Sequence, residues 1–187
     1  MTILRNGIVV KVEVLTGKRD FDEVVDWIYD KYIEHGVMRA GIDNTGFGVG
    51  VHANLVSRGL DIEGIKFSGK PEYEDGECHD KRTELMYAVL EAIKNNSLKI
   101  PDTNENRRIF EDSRAIMYRI DQFSGKVRAE EKPQTRKRLK RSPDYLDALC
   151  MGVYVMGDMR MLTRKERVEN MFFSAVSQFD RYERVGF

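Results

Sequence analysis

From Ala148 to Met156 the sequence is apolar at nearly every position, and the run follows closely on Ser142-Pro143. Serine is a favoured N-cap, and proline suits the first helical position because its missing N–H would have no intrahelical partner there. The pattern predicts a helix from Ser142 to about Met156. A helix lying on a surface shows one apolar stripe, whereas one that is apolar nearly all round has to be buried. Whatever this chain folds into, other elements must cover that segment on several sides.

Those elements can be read from periodicity. Ile8 to Leu15 alternates Val10, Val12 and Val14 with Lys11 and Glu13, the period of a half-buried strand, and Asn6-Gly7 before it is a strong two-residue hairpin signal. Only Met1 to Arg5 precede that turn, so the chain is expected to begin inside a hairpin. Asp20 and Glu23 form a capping-box pair ahead of a helical stripe of Phe21, Val24, Val25, Ile28 and Tyr32 that ends near Gly36. Met38 to Ile42 reads as a short buried strand and Asp43 to Gly48 as the loop leaving it. A helix carrying Val51, Leu55 and Val56 stops at Gly59, and Gly64 to Phe67 is a further strand. A longer helix is expected over Lys81 to Asn95, and a second hairpin joins Ala115–Asp121 to Lys126–Glu130 around Ser124-Gly125. A last amphipathic helix carries Val168, Met171, Phe172, Ala175, Val176 and Phe179. Hairpins at both ends of alternating strands and helices make a mixed-sheet α/β domain rather than a pure βαβ series. With 187 residues, one core is the expectation.

Charge narrows the function. The 31 basic and 31 acidic side chains cancel, so attraction to a polyanion has to come from their distribution. Cys78 and Cys150 lack C-x-x-C spacing, which argues against a disulfide framework or structural zinc and fits a reducing compartment. No apolar stretch approaches the roughly 18 residues of a membrane span, and no basic-then-apolar signal opens the chain. A cytoplasmic location without membrane contact is the expectation.

The distribution of charge is uneven. Lys132, Arg136, Lys137, Arg138, Lys140 and Arg141 fall within ten residues that contain no acid, and Asp144 and Asp147 follow at once. Three residues apart on a helix, those aspartates share a face. In the first turns, exposed backbone N–H groups favour the ionised carboxylate that a hard cation needs. Acids there also simply stabilise a helix, and a basic run can be an ordinary solvated loop. The two together suit phosphodiester chemistry better, with cations on phosphates and carboxylates on divalent metal. Asp43 ends a buried strand, where open α/β sheets build their sites, although an Asx turn would explain it equally. Gly46, Gly48 and Gly50 miss the dinucleotide spacing because position 51 is valine, and no Walker motif occurs. Lys81 and Arg82 open a helix, where cations are mildly unfavourable for stability, which points towards contact with an anion. His35, His52 and His79 show no ligand spacing, and Trp27 and the Met-rich stretch from Met151 to Met161 read as packing.

Taken together, three blocks resemble the nuclease domain of the large terminase subunit of tailed phages: Gly41-Ile42-Asp43-Asn44-Thr45-Gly46 and the glycines after it, Lys81-Arg82-Thr83-Glu84, and Lys132 through Ser142-Pro143-Asp144-Tyr145-Leu146-Asp147-Ala148-Leu149. Order and spacing match over about residues 2 to 155. The resemblance implies an RNase H-like fold, a mixed central sheet flanked by helices, with residues 1–158 as the nuclease domain and 159–187 as a helical extension. It implies a metal-dependent endonuclease that cleaves double-stranded DNA during phage genome packaging, using two Mg²⁺ or Mn²⁺ ions. Asp43 matches the second metal-holding acid of that family and Asp144 the third, with Asp147 as another candidate on the same face. Lys81, Arg82, Lys132, Arg136, Lys137, Arg138, Lys140 and Arg141 are the candidate DNA contacts. The family's first acid sits on an opening strand before the Asn-Gly hairpin, a position this sequence does not contain. The first strand is thus expected to be partly missing and the two-metal site incomplete. The partners implied are DNA, the portal protein, the small terminase subunit and the ATPase domain, within a bacterial host cell. The alternative is a catalytically inactive DNA-binding or docking remnant of a prophage terminase.

Overall fold

The computed structural model describes residues 1–72 and 76–157. The amphipathic segment from Val168 to Phe179, and with it the expected extension, lies outside the described residues.

The chain opens with β1 (Thr2–Arg5) and β2 (Ile8–Val12), paired antiparallel. Asn6 and Gly7 between them have φ of 50° and 73°, the left-handed pair that a two-residue hairpin demands. Glycine is required at 7 for a second reason, since a Cβ there would sit on the Ser97 carbonyl. Helix α1 (Phe21–Glu34) carries the full capping box: Glu23 N–H donates to Asp20 at 2.8 Å and Asp20 N–H to Glu23 at 3.1 Å. Strand β3 (Ala40–Asp43) leads into α2 (Phe47–Ser57) and then β4 (Ile62–Ile65), parallel to β3. After α3 (Lys81–Lys94) come α4 (Arg107–Ala115), the antiparallel pair β5 (Tyr118–Ile120) and β6 (Val127–Ala129), then α5 (Lys132–Leu139) and α6 (Asp144–Val155).

Helix α6 is the organising element, as its composition requires. Leu149, Cys150 and Val153 are fully buried. The helix packs against α3, α4, β1 and β3 at once, with Gly152 facing the Leu4 side chain and Val155 against Gly41. One apolar cluster gathers α6, α3, α4 and the first hairpin around Leu85, Val89, Ile109 and Leu149. A second gathers α1, α2, β3 and β4 around Val25, Val51 and Leu55. Among the described residues, no helix is long and apolar enough to cross a membrane.

Several local expectations need correcting. Strand β4 lies two residues before the expected Gly64–Phe67, because pairing with β3 starts at Ala40–Ile62 and buries Ile62 and Ile65. Helix α2 begins at Phe47 and takes in the last two residues of the expected loop; Gly48 permits this, since a Cβ there would sit on the Asp43 carbonyl oxygen. The basic run is helical rather than a loop, with Pro133 in its first turn, Thr135 buried and Lys140 closing it in the left-handed region at φ 58°. Helix α4 had no apolar stripe to announce it, because Arg107–Ala115 buries only Ile109 and Asp112. The sheet is present as three two-stranded pieces, β1–β2, β3–β4 and β5–β6, rather than one continuous central sheet. The fold is mixed α/β, with little sheet.

Candidate functional site

Asp144 and Asp147 open α6, and Lys132 at the start of α5 reaches across to both, its ammonium 3.1 Å from Asp144 and 2.7 Å from Asp147. The two acids differ in setting. The Asp144 side chain is 70% exposed and accepts from the Ser142 hydroxyl at 2.6 Å. That of Asp147 is 10% exposed, and its Oδ1 is buried with no hydrogen-bond partner. Burial pushes the Asp147 carboxyl above its ordinary range, and the Lys132 and Arg82 charges only partly offset this. Burial by itself would lower Lys132, but Asp147 and Asp144 outweigh it and hold the ammonium protonated. A cation therefore already sits between the paired acids.

Asp43 ends β3 and accepts from the Thr45 hydroxyl at 2.8 Å, a bond between two side chains of the turn. Its strand packs on α6. Asp43, Asp144 and Asp147 do not form a group whose ligand atoms all lie within 4.8 Å of one another; among the described residues Glu13, Glu34 and His35 do. Two ions spread their ligands more widely than one, so that separation bears on a single-ion site only. The Lys31 ammonium lies 2.6 Å from Glu34 and 3.7 Å from Glu13, so this second cluster is also neutralised from within. His35, which has no acid at ligand spacing in sequence, comes 3.3 Å from Glu13, a neighbour supplied from the end of the first hairpin.

The basic residues divide into two sets. Lys81 is buried, paired with Glu84 at 2.9 Å and Glu72 at 3.0 Å, and stacked 4.4 Å from the Tyr154 ring centre. Arg82 donates to the Glu130 carbonyl, leaving its Nε and Nη2 buried without a hydrogen-bond partner. Arg138 holds the Ala115 carbonyl and the buried Glu130 carboxylate, while Arg141 lies 2.6 Å from Asp112 and 3.1 Å from Glu111. Arg136, Lys137 and Lys140 are exposed on α5 and its cap, with no ion pair to an acid among the described residues.

Two acids that sequence reasoning passed over hold this region together. Asp112, fully buried on α4, accepts from the Tyr145 and Leu146 N–H groups at 3.1 Å each. It thereby caps α6, the task expected of Ser142; Pro143 is the N-cap residue and makes no side-chain cap bond. Burial still raises the Asp112 carboxyl above its usual range, against those donors and Arg141. Glu130 accepts from the Thr135 hydroxyl at 2.8 Å and the Met117 N–H at 3.2 Å, tying β6 to α5. The only signal for either was an acid beside weakly patterned sequence.

No family model and no curated protein sequence matches the chain. In three dimensions it is similar to the nuclease domain of the large terminase subunit gp2 of bacterial virus Sf6, at TM-score 0.66 and 20% identity over 79% of this chain and 78% of that one. A point mutant of the same domain with manganese aligns at TM-score 0.65 and 20% identity over 79% of each chain. A mutant with calcium aligns at TM-score 0.65 and 20% identity over 79% of this chain and 78% of that one. At this identity the likeness is one of fold.

Proposed function

We propose that the chain is a divalent-metal-dependent endonuclease domain that cleaves double-stranded DNA in phage genome packaging, with Asp43, Asp144 and Asp147 as its metal-holding acids. The observation that carries the reading is the Asp147 carboxylate, buried in the first turn of α6 with one oxygen unpartnered, beside the exposed Asp144. Burying such an atom without a partner is costly, so its retention calls for a role. Support also comes from the fold, which is similar to that of a phage nuclease domain whose mutant was solved with manganese and with calcium.

The donors fit a hard cation. They are carboxylate oxygens, one of them orphaned, with Asp144 and Asp147 in the first turn of α6 and Asp43 at the end of β3. Mg²⁺ or Mn²⁺ held there would supply Lewis-acid polarisation of a phosphoryl oxygen. The chain's own residues do the rest. Lys132 supplies a countercharge to the paired acids. Arg136, Lys137 and Lys140 face solvent on the same basic helix and hold the DNA backbone. Asp112 fixes the first turn of α6 on which both acids stand. On this reading the partners are DNA and a packaging assembly of ATPase domain, small subunit and portal.

The Lys132 ammonium favours a second reading, because a pair already neutralised from within can persist in a DNA-binding module that does not cut. Plasmid nicking with Mn²⁺ separates the two. The nuclease reading expects relaxed circles from wild type, with at least about a hundredfold less from Asp43→Ala and Asp144→Ala, as removal of a metal-holding acid should give. Retardation of DNA without cleavage above those variants leaves the non-cutting module.

A further inference from the structure

The chain carries no net charge, yet between Arg107 and Arg141 twelve basic side chains stand against five acidic ones, so the rest of the chain is acidic by the same excess. Those five acids are all engaged. Glu111 holds Arg108 at 2.9 Å and Arg141 at 3.1 Å, Asp112 holds Arg141, Glu130 holds Arg138, and Glu131 lies 3.7 Å from Arg128. Asp121 closes its own turn, accepting from the Ser124 N–H at 2.9 Å. Arg107, Arg114 and Arg119 are left exposed with no ion pair among the described residues, as Arg136, Lys137 and Lys140 are on α5.

Two of these arginines sit where the fold itself disfavours a cation. Arg107 opens α4, at the positive end of the helix dipole, with no acid in that first turn and no side-chain cap from Asn106. Arg119 lies directly across the β5–β6 pair from Arg128, and like charges facing each other weaken a strand pair. Asp80 at 3.6 Å and Glu131 offset the Arg128 charge. Among the described residues no acid reaches Arg119.

Packing joins these positions into one face. Helix α4 packs on α5, and Arg138 of α5 grips the carbonyl of Ala115, the residue after Arg114. Strand β5 begins three residues beyond the end of α4. Seven residues apart, Arg107 and Arg114 share one side of α4 and stand about 10.5 Å apart along its axis. The phosphates of one DNA strand follow at about 3.4 Å along the duplex, so the two arginines reach different phosphates. A row of separate cations over three elements suits a repeating polyanion better than a single small anion.

We infer that α4 and β5 extend the DNA-binding face of α5, with Arg107, Arg114 and Arg119 each holding a backbone phosphate of duplex DNA. The phosphates supply the countercharge that the fold withholds from Arg107 and Arg119. The inference rests on DNA as the partner proposed above, and is independent of whether the acids of α6 cut it.

The test uses the full 187-residue chain without divalent metal, so that no strand is cut, and reads anisotropy of fluorescein-labelled duplexes of unrelated sequence over a salt series. The variant carrying Arg107→Ala, Arg114→Ala and Arg119→Ala should bind at least about tenfold more weakly at about 0.1 M salt, and its plot of log affinity against log salt should flatten by roughly 2.7, at about 0.9 for each phosphate. Its urea midpoint should hold or rise, because these cations are unfavourable in the free chain. Arg108→Ala, which removes a cation already paired with Glu111, should leave the slope unchanged. A triple variant that binds like wild type, while loss of Arg136, Lys137 and Lys140 weakens binding, would overturn the inference and leave the DNA reading standing. Wild type that binds no duplex would overturn both. An equal loss from Arg108→Ala would assign the effect to overall charge, and a lowered urea midpoint would make the three arginines structural; either result overturns the inference. Polyglutamate bound more tightly than the duplex would assign the face to an acidic polypeptide and overturn the partner named here.

Discussion

Asp147 is pulled in two directions. Its burial favours the neutral acid, while Lys132 at 2.7 Å and the Arg82 charge favour the anion, and burial prevails. The folded chain therefore keeps this proton after the unfolded chain has released its own. Between the ordinary carboxylate range and the raised value, the folded state binds more protons, so the contribution to stability falls as pH rises through that window. Asp147→Asn removes this dependence. Its stability relative to wild type should improve as pH rises from the ordinary carboxylate range through the raised value, read as urea midpoints at successive pH values. A difference that stays flat would mean Asp147 is not raised in the folded state. A bound divalent ion supplies the countercharge that burial withholds, which is why the same carboxyl is the strongest candidate ligand.

At the level of elements, the N-terminal turn of α6 is built by its neighbours. Proline at 143 offers no side-chain oxygen, and the Ser142 hydroxyl is turned to Asp144, so the N–H groups of Tyr145 and Leu146 depend on Asp112 of α4. The same carboxylate neutralises Arg141, which carries the chain from α5 into α6. Asp112→Ala removes a cap and leaves a half-buried guanidinium with one partner fewer. A destabilisation of about 3 kcal/mol is expected in urea unfolding, with a smaller effect for Asp112→Asn because its amide oxygen can still accept. A change within about 0.5 kcal/mol would show that the turn is held by other means. The basic run illustrates the same dependence. As a helix it presents Arg136, Lys137 and Lys140 outward while Arg138 turns back to Glu130 and Ala115, a division that charge counting along the sequence does not give.

For the whole molecule, zero formal net charge means that any affinity for DNA is carried by a face and not by the overall field. The triple variant Arg136→Ala, Lys137→Ala, Lys140→Ala should weaken duplex binding across unrelated sequences. It should also flatten the plot of log affinity against log salt by roughly 0.9 for each DNA phosphate that is no longer neutralised. Fluorescence anisotropy across a salt series reads both. An unchanged slope would move the DNA-binding face elsewhere on the fold.

Elements whose signal is local can be read from the residues alone. The Asn6-Gly7 turn, the Asp20–Glu23 capping box and the all-round apolar run of α6 were legible because backbone conformation and solvent exclusion act within a few residues. Asp43, Asp144 and Asp147 could be named as candidates for the same reason, by their places at a strand end and in a first helical turn. Which charges are already taken follows from how the folded chain packs. Lys132 between its two aspartates, Lys81 on Glu84, Arg141 on Asp112 and His35 beside Glu13 join residues brought together by packing. Ion pairing and desolvation depend on distance and burial in space, and a pattern along the chain encodes neither.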